Sequence, residues 1–94
     1  RSSSRRALSI DVEDAPVRAT NDGLVVYADG GTLVLLHPMG WVTTYRQIDR
    51  IDVAVGARVV RGAWIGRARR SVQVELRIDG DRVDPLELMV HVPG

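Results

Sequence analysis

The chain has 94 residues, a length that allows one small domain. Hydrophobic residues make up 45% and charged residues 27%, which excludes an intrinsically disordered chain. The net charge of +1 gives no strong field for nucleic acid, and no apolar run approaches the roughly 20 residues of a membrane-spanning helix. We therefore expect neither a nucleic-acid partner nor a membrane segment in this chain.

Two missing residue types narrow the chemistry further. The chain has no cysteine, so disulfides and thiolate metal sites are excluded. All 13 basic residues are arginine. Without a lysine amine, the chain cannot form a Schiff base, carry a lipoyl or biotinyl group, or supply a phosphate-loop lysine.

Residues 1–6 are arginines and serines, and we interpret them as a polar leader or linker. A basic arm that contacts an anionic polymer is the alternative. We expect a single domain over residues 7–90 and a tail over 91–94. Because the chain begins at Arg1, we also expect a fragment or processed product, with any signal peptide or anchor upstream.

The residue pattern from Leu8 onward predicts an all-β protein, since valine is the dominant residue and turn signals recur about every 8–12 residues. Glycine beside Asp or Asn supplies the positive φ that tight hairpins need. The predicted strands are Pro16–Thr20, Leu24–Ala28, Thr32–His37, Trp41–Arg46 and Val72–Ile78.

The hydrophobic pattern distinguishes two of these strands. Thr32–Leu36 is mostly apolar, which predicts a central strand covered on both faces. Val72–Ile78 alternates apolar and polar residues, which predicts one buried face. A short helical turn is expected near Gln47–Arg50 or Asp84–Met89.

A glycine-spaced motif occupies Asp52–Gly66 and reads Val-x-x-Gly-x-x-Val-x-x-Gly-x-x-Ile-Gly, which predicts two short strands joined by glycine turns. Lipoyl-like and barrel-sandwich domains also use this spacing. Further motifs surround it in a fixed order. They are Pro-Val-x-Ala from Pro16, Asp-Gly-x-Val from Asp22, His-x-x-Gly-x-x-Thr-x-Tyr from His37, Glu-x-Arg-x-x-Gly from Glu75 and Val-Asp-Pro from Val83.

In this combination and order, over about residues 7 to 89, the sequence resembles the LytM/lysostaphin-type metallopeptidase domain, a zinc endopeptidase fold that cuts peptidoglycan cross-links. The resemblance implies an all-β, two-sheet antiparallel sandwich of LytM type (lysostaphin-like) with a barrel-sandwich hairpin. Active members bind zinc through His-x-x-x-Asp and the last histidine of His-x-His. Two further histidines, at Tyr-x-His and at the first position of His-x-His, assist catalysis.

The catalytic pattern is where this sequence departs from the family. Asp11 matches the zinc-binding aspartate, but the histidine four residues earlier is Ala7. The histidine of Tyr-x-His is Gln47, and the two of His-x-His are Ser71 and Gln73. A glutamine amide is a poor zinc ligand and cannot act as a general base. We therefore expect no zinc and no catalysis, that is, a pseudoenzyme.

The two histidines that remain do not complete a site. His37 matches a non-catalytic histidine at a strand end, and His91 lies beyond the last motif. A catalytic zinc site needs three protein ligands and an open position. Asp11 itself is open to a structural role, to a leftover role or to a hydrogen bond in the groove.

A glycine-rich hairpin that walls the substrate groove in active relatives is replaced by four residues, three of them arginine. Guanidinium groups there could clamp carboxylates, or they could belong to a solvated turn. Trp41 could be an interface anchor or a cap on the sheet, whereas Trp64 is the better candidate for an exposed anchor. The residues predicted to bind a partner are Tyr45, Gln47, Trp64, Arg67, Arg69, Arg70 and Gln73.

Degenerate LytM domains include the EnvC- and NlpD-type activators of cell-division amidases. The resemblance thus implies a regulatory module that binds a protein partner, namely a peptidoglycan hydrolase, in the periplasmic or extracytoplasmic envelope of a bacterium. Two alternatives stay open: a structural domain of an envelope or sporulation-type assembly, and a non-catalytic peptidoglycan-binding module. An active zinc peptidase and an export-adaptor domain fit the motifs less well.

Overall fold

The structure, a computed structural model, describes the backbone of residues 5–78 and the side chains of residues 8–78. The expectations for Asp84–Met89, for His91 and for the tail lie outside the described residues. The strands are β1 (Arg5–Asp11), β2 (Ala15–Arg18), β3 (Gly23–Asp29), β4 (Thr32–Leu36), β5 (Val42–Arg46), β6 (Arg50–Ile51), β7 (Arg58–Val59), β8 (Trp64–Ala68) and β9 (Ser71–Arg77).

These strands form two antiparallel sheets, as the sequence predicts. The large sheet has the order β1-β9-β5-β4-β3-β7, and the small sheet has the order β2-β8-β6. β1 was not predicted as a strand, and it begins at Arg5, inside the stretch interpreted as a leader. Its alternation is hidden because the pattern of arginine, serine and aspartate resembles a solvated segment. No helix in the described part of the chain is long and apolar enough to cross a membrane.

The core lies between the sheets and is lined by alternate residues of each strand. Leu33, Leu35 and Ile65 are fully buried, and Val25 and Leu76 are nearly so. Each such side chain stabilises the fold by roughly 1.5–3 kcal/mol through burial. Because the side-chain period of a strand is two, the residues between them lie on the outer face of the large sheet.

One expectation about local structure is wrong, and a second does not hold at the first of its two predicted positions. β4 is central, but its second face is only partly covered, since Leu36 is exposed and Val34 is half-buried. The stretch at Gln47–Arg50 forms no helix. There the backbone turns at Gln47, Ile48 N–H donates to the Gly31 carbonyl at 3.1 Å, and Arg50 enters β6.

The glycine-spaced motif forms the predicted turns. Gly56 and Gly62 have φ of 96° and 83°, a region that L-residues rarely adopt. Gly66 has a different role, because a Cβ there would clash with the Arg50 carbonyl and lie 3.0 Å from Ile48 Cγ2. The missing side chain therefore lets β8 approach β6 closely.

Candidate functional site

The outer face of the large sheet carries the residues that the sequence motifs predict at the catalytic positions of LytM-type domains. Asp11 pairs with Ser71 across β1 and β9, and Gln73 pairs with Ser9. On the other side, Gln73 pairs with Arg46 of β5. Residues that face each other in adjacent strands share a face of the sheet. Separate segments of the sequence thus meet on one polar surface.

The register also relates Asp11 to Gln73. Strand alternation places Ser9 and Asp11 on one face of β1. Gln73 lies opposite Ser9, and Asp11 is two residues from Ser9 along β1. Asp11 and Gln73 are therefore diagonal neighbours on the outer face of the sheet.

Gln47 joins this surface from the segment that follows β5. Ser71 Oγ donates a hydrogen bond to Gln47 Oε1 at 2.9 Å, so two of the predicted site residues are in direct contact. Gln47 has a φ of 70°, the left-handed region, which costs a non-glycine residue about 1–2 kcal/mol. Asp11, Gln47, Ser71 and Gln73 form what we call the groove cluster.

The groove cluster does not fit a zinc ion. It offers the carboxylate of Asp11, two neutral amides and a hydroxyl, whereas zinc takes carboxylate, imidazole or thiolate ligands. Across the described side chains, no group of three or more His, Asp or Glu residues could hold a metal ion. No step of a zinc-dependent reaction can be derived from these residues.

A groove of about 450 Å³ opens beside the groove cluster. Three connections bound it: the β3–β4 turn at Gly30 and Gly31, the segment after β5, and the β8–β9 turn. The β8–β9 turn consists of only Arg69 and Arg70, because Arg67 and Ala68 belong to β8. The connection predicted from the sequence is therefore present and is shorter than the four residues expected.

A second groove of about 470 Å³ shares Asp49 and Arg69 with the first. Arg67 lines it and is already engaged, since its Nε donates to Asp14 Oδ1 at 2.8 Å. The hydrogen bond from Arg67 and its positive charge lower the pKa of Asp14. Arg50 is likewise paired, with Asp52 at 2.9 Å.

Arg69 and Arg70 differ from these neighbours. Both are exposed, and neither guanidinium forms a hydrogen bond or ion pair with another described residue. The backbone of the turn is fixed, because Arg69 N–H donates to Asp49 Oδ2 at 2.6 Å and the Arg70 carbonyl accepts from Val12 N–H at 2.7 Å. The turn thus exposes two guanidinium groups that pair with no other described residue, while hydrogen bonds hold its backbone in place.

Trp64 lies on the small sheet and is 47% exposed, and its role as an anchor stays a prediction. Its indole Nε1 donates to the Gly66 carbonyl at 2.8 Å. The guanidinium carbons of Arg18 and Arg67 lie 6.0 and 5.9 Å from the ring centroid, within cation–π range. Trp64 is therefore oriented by its neighbours, and Arg67 connects it to the second groove. Trp41 is half-buried, and its carbonyl accepts from His37 N–H at 2.7 Å.

Tyr45 does not belong to the surface, which corrects its prediction as a partner-binding residue. It is 1% exposed because its position in β5 points into the core. Its hydroxyl accepts a hydrogen bond from Thr20 N–H at 2.9 Å, and burial raises its pKa. The family motif that contains Tyr45 gives the spacing of its residues and does not indicate which face of β5 Tyr45 occupies.

His37 is also buried, and its role is structural. Nδ1 lies 2.6 Å from the Asp22 carbonyl, which can only accept, so Nδ1 carries the proton. Nε2 then accepts from the Thr43 hydroxyl at 2.7 Å. Burial lowers the pKa of His37, which favours this neutral form. His37, Thr43, Thr20 and Tyr45 form what we call the buried cluster.

Comparison with solved structures shows which class of fold this is. A putative peptidase M23 from Pseudomonas aeruginosa superposes with a TM-score of 0.74 and 23% identity, over 84% of this chain and 41% of that chain. Pseudoalterin, an M23 metalloprotease from the deep sea, gives a TM-score of 0.68 and 18% identity, over 81% and 58%. The two sheets are those of an M23 peptidase domain, and this chain spans about two to three fifths of those proteins.

The family follows from the sequence. The family model of Peptidase family M23 matches residues 4–85, so this chain belongs to that family. The resemblance to LytM-type domains and the all-β fold are thereby confirmed. A search of curated proteins found no match.

Proposed function

We propose that this chain is a non-catalytic M23 domain that binds a protein partner in the bacterial cell envelope and thereby regulates a peptidoglycan hydrolase, such as a cell-wall amidase. One observation carries the proposal. The positions of the family's metal and catalytic groups meet on one face, and there they hold Asp11, Gln47, Ser71 and Gln73. The scaffold of the site is kept while its chemistry is replaced.

Hydrolysis of a peptide bond needs a polarised carbonyl and an activated water. An uncharged amide and a hydroxyl supply neither, since neither accepts a proton near neutral pH. The Gln47 carbonyl oxygen accepts the bond from Ser71, and the amide N–H groups of the same side chain can donate to a ligand. These residues suit recognition through hydrogen bonds.

The surroundings of the groove support a protein ligand. Two grooves of about 450 and 470 Å³ adjoin each other and share Asp49 and Arg69. Hydrogen-bond donors, free guanidinium groups and an exposed tryptophan lie around them, and these residue types are enriched at binding hot spots. Regulation then requires that the domain bind the active form of its partner more tightly than the inactive form.

The experiment that tests this proposal is a dye-release assay on labelled peptidoglycan. The purified domain is assayed with added zinc, first alone and then with each cell-wall amidase of the same bacterium. We expect no release by the domain alone and increased release in one of the mixtures. Release by the domain alone that a chelator abolishes would overturn the non-catalytic assignment.

Two variants test whether stimulation of the amidase depends on the groove cluster. Gln73→Ala removes an amide of the groove cluster, and Arg58→Ala removes an exposed side chain of β7, outside both grooves. Loss of stimulation with Gln73→Ala but not with Arg58→Ala supports regulation through the groove. Binding of the domain to peptidoglycan without stimulation would favour a cell-wall-binding module, and capture of an envelope membrane protein would favour a structural assembly.

Restoring the histidines tests the zinc argument separately. A variant with Ala7→His, Gln47→His, Ser71→His and Gln73→His should bind about one zinc ion per chain, because it restores the His-x-x-x-Asp and His-x-His ligands of LytM-type domains around Asp11. The wild-type chain should retain none after dialysis. Stoichiometric zinc in the wild-type protein, measured by elemental analysis, would contradict the assignment.

A further inference from the structure

We propose that the groove recognises an acidic amphipathic segment of the partner, whose carboxylates pair with Arg69 and Arg70 and whose apolar side chains cover the β3–β4 side of the large sheet. This inference rests on the proposed function and names the chemistry of its ligand. It depends on two features of the described residues, the charge of the groove rim and the apolar part of the same face.

The charge of the rim is local. Four arginines and two aspartates line the two grooves, although the whole chain has a net charge of only +1. Arg50 and Arg67 already pair with carboxylates of the chain, and so they are partly neutralised. Arg69 and Arg70 have no such partner among residues 8–78.

The geometry of Arg69 and Arg70 suits carboxylates. A guanidinium presents its N–H groups as a fork that matches the two oxygens of a carboxylate. The two arginines are consecutive in a two-residue turn whose backbone is held by Asp49 and Val12. The backbone therefore loses little conformational freedom when a ligand binds there, which favours affinity.

The apolar part of the ligand follows from the outer face of the large sheet. Tyr27 pairs with Val34, and Leu24 pairs with Leu36, which in turn pairs with Val42. Tyr27 is 48% and Leu36 38% exposed, and the other three are half-buried. An exposed apolar patch with a polar rim is typical of an interaction surface.

The two features are close enough for one segment. In the large sheet, β4 lies two strands from β9, which is about 10 Å at the usual strand spacing. Val34 is also in register, through Thr44, with Glu75, which lies four residues along β9 from Ser71 and adds about 13 Å along the strands. Gln73 of the groove cluster and Val34 of the apolar patch lie on the same face. A segment of a few turns of helix, or a short extended peptide, would reach from the apolar patch to Arg69 and Arg70.

Fluorescence anisotropy with labelled peptides tests the inference. One 20-residue peptide repeats leucine and glutamate with helical spacing, and the matched peptide has glutamine in place of glutamate. We expect the acidic peptide to bind and the glutamine peptide to bind at least 10-fold more weakly, since the glutamine peptide has no carboxylates to form charge-assisted hydrogen bonds with Arg69 and Arg70. Equal binding of the two peptides, or no binding of the acidic peptide, would overturn the inference.

Variants of the domain locate the contact. R69Q/R70Q should bind the acidic peptide at least 10-fold more weakly. R18E, which changes the net charge by the same amount on β2 of the small sheet, outside both grooves, should bind within about 2-fold of the wild type. Tyr27→Ser should weaken binding more than Val55→Ser, an exposed valine outside the sheets. Equal losses for R18E and R69Q/R70Q would mean a general attraction of charges and would overturn the assignment.

The same variants separate this inference from the proposed function. If R69Q/R70Q stimulates the amidase fully, regulation stands and the acidic contact is wrong. If the wild-type domain stimulates no amidase but binds the acidic peptide through Arg69 and Arg70, the proposed regulation is wrong. If the NMR spectrum of the backbone amides of the free R69Q/R70Q domain matches that of the wild type, misfolding is excluded as the cause of any loss of binding or stimulation.

Discussion

The buried cluster and the groove cluster are two polar groups of one small domain, and they are built differently. In the buried cluster, His37 and Tyr45 are 4% and 1% exposed, and each ring makes hydrogen bonds with fixed partners. In the groove cluster, Ser71 and Gln47 share one exposed hydrogen bond. The fold loses far more stability when a buried polar group is left without its hydrogen-bond partner than when an exposed polar group is, because water can replace the partner of the exposed group.

This difference predicts which polar residues the fold depends on. His37 holds the Asp22 carbonyl and the Thr43 hydroxyl inside the fold, so its replacement would leave buried groups without partners. Gln47, Ser71 and Gln73 lie on an open face, where water can form hydrogen bonds with any group that loses its partner. We therefore expect substitutions in the groove cluster to change the fold less than substitutions in the buried cluster.

The largest expected effect lies in the core that supports the buried cluster. Leu35→Ala should lower the free energy of unfolding by about 2–5 kcal/mol, because Leu35 is fully buried beside Thr43. Leu36→Ala is the matched control, and its 38% exposed side chain should cost less than about 1 kcal/mol. Urea denaturation measures both. Similar losses for the two leucines would mean that the inner and outer faces of β4 are misassigned.

A direct comparison of the two clusters comes next. Tyr45→Phe removes the acceptor of Thr20 N–H and should cost about 1–3 kcal/mol, as expected for a donor left unpaired in a mostly buried place. Ser71→Ala removes the exposed bond to Gln47 and should change stability by less than about 0.5 kcal/mol. The comparison fails if Ser71→Ala costs as much as Tyr45→Phe.

The pH dependence of stability should report the buried cluster. Because burial lowers the pKa of His37, the unfolded chain takes up a proton at this residue at a higher pH than the folded chain. Stability should therefore decrease as the pH falls below the ordinary histidine value of about 6.5. Thermal unfolding between pH 7.5 and 5 measures this. His37→Gln should lose part of the dependence, and His91→Gln, the other histidine of the chain, serves as the comparison.

A small effect of the opposite sign should come from the backbone of the groove cluster. Gln47→Gly should stabilise the domain by up to about 1 kcal/mol, because glycine adopts the φ of 70° without a steric penalty. Gln47→Ala keeps the penalty and should not stabilise. If the glycine variant is less stable by more than about 1 kcal/mol, the hydrogen bond from Ser71 matters more to the fold than its exposure suggests.

Much of the architecture could be predicted from the sequence because strand alternation and glycine turns are local signals. The strand at Val72–Ile78 and the turns at Gly56 and Gly62 agree with their pattern. β1 was missed because polar residues on its outer face obscure the alternation of Leu8 and Ile10. Tyr45 was misplaced because a motif gives residue spacing and does not tell which face of a strand meets the core.

The site was predictable only in part, for a similar reason. Flanking motifs aligned Gln47, Ser71 and Gln73 with the family positions, and the register brings them together. The pairing of Arg67 with Asp14, which leaves Arg69 and Arg70 as the free cations of the rim, joins residues 53 positions apart. No short pattern in the sequence encodes such a contact, because it depends on how β2 lies beside β8.

The two-residue turn between β8 and β9 has a mechanical consequence. β8 belongs to the small sheet and β9 to the large sheet, so Arg69 and Arg70 form a covalent joint between the two layers. A partner bound to this turn would make separation of the two sheets less favourable. The exchange of amide hydrogens with solvent would then slow in both sheets, including strands that the partner never contacts.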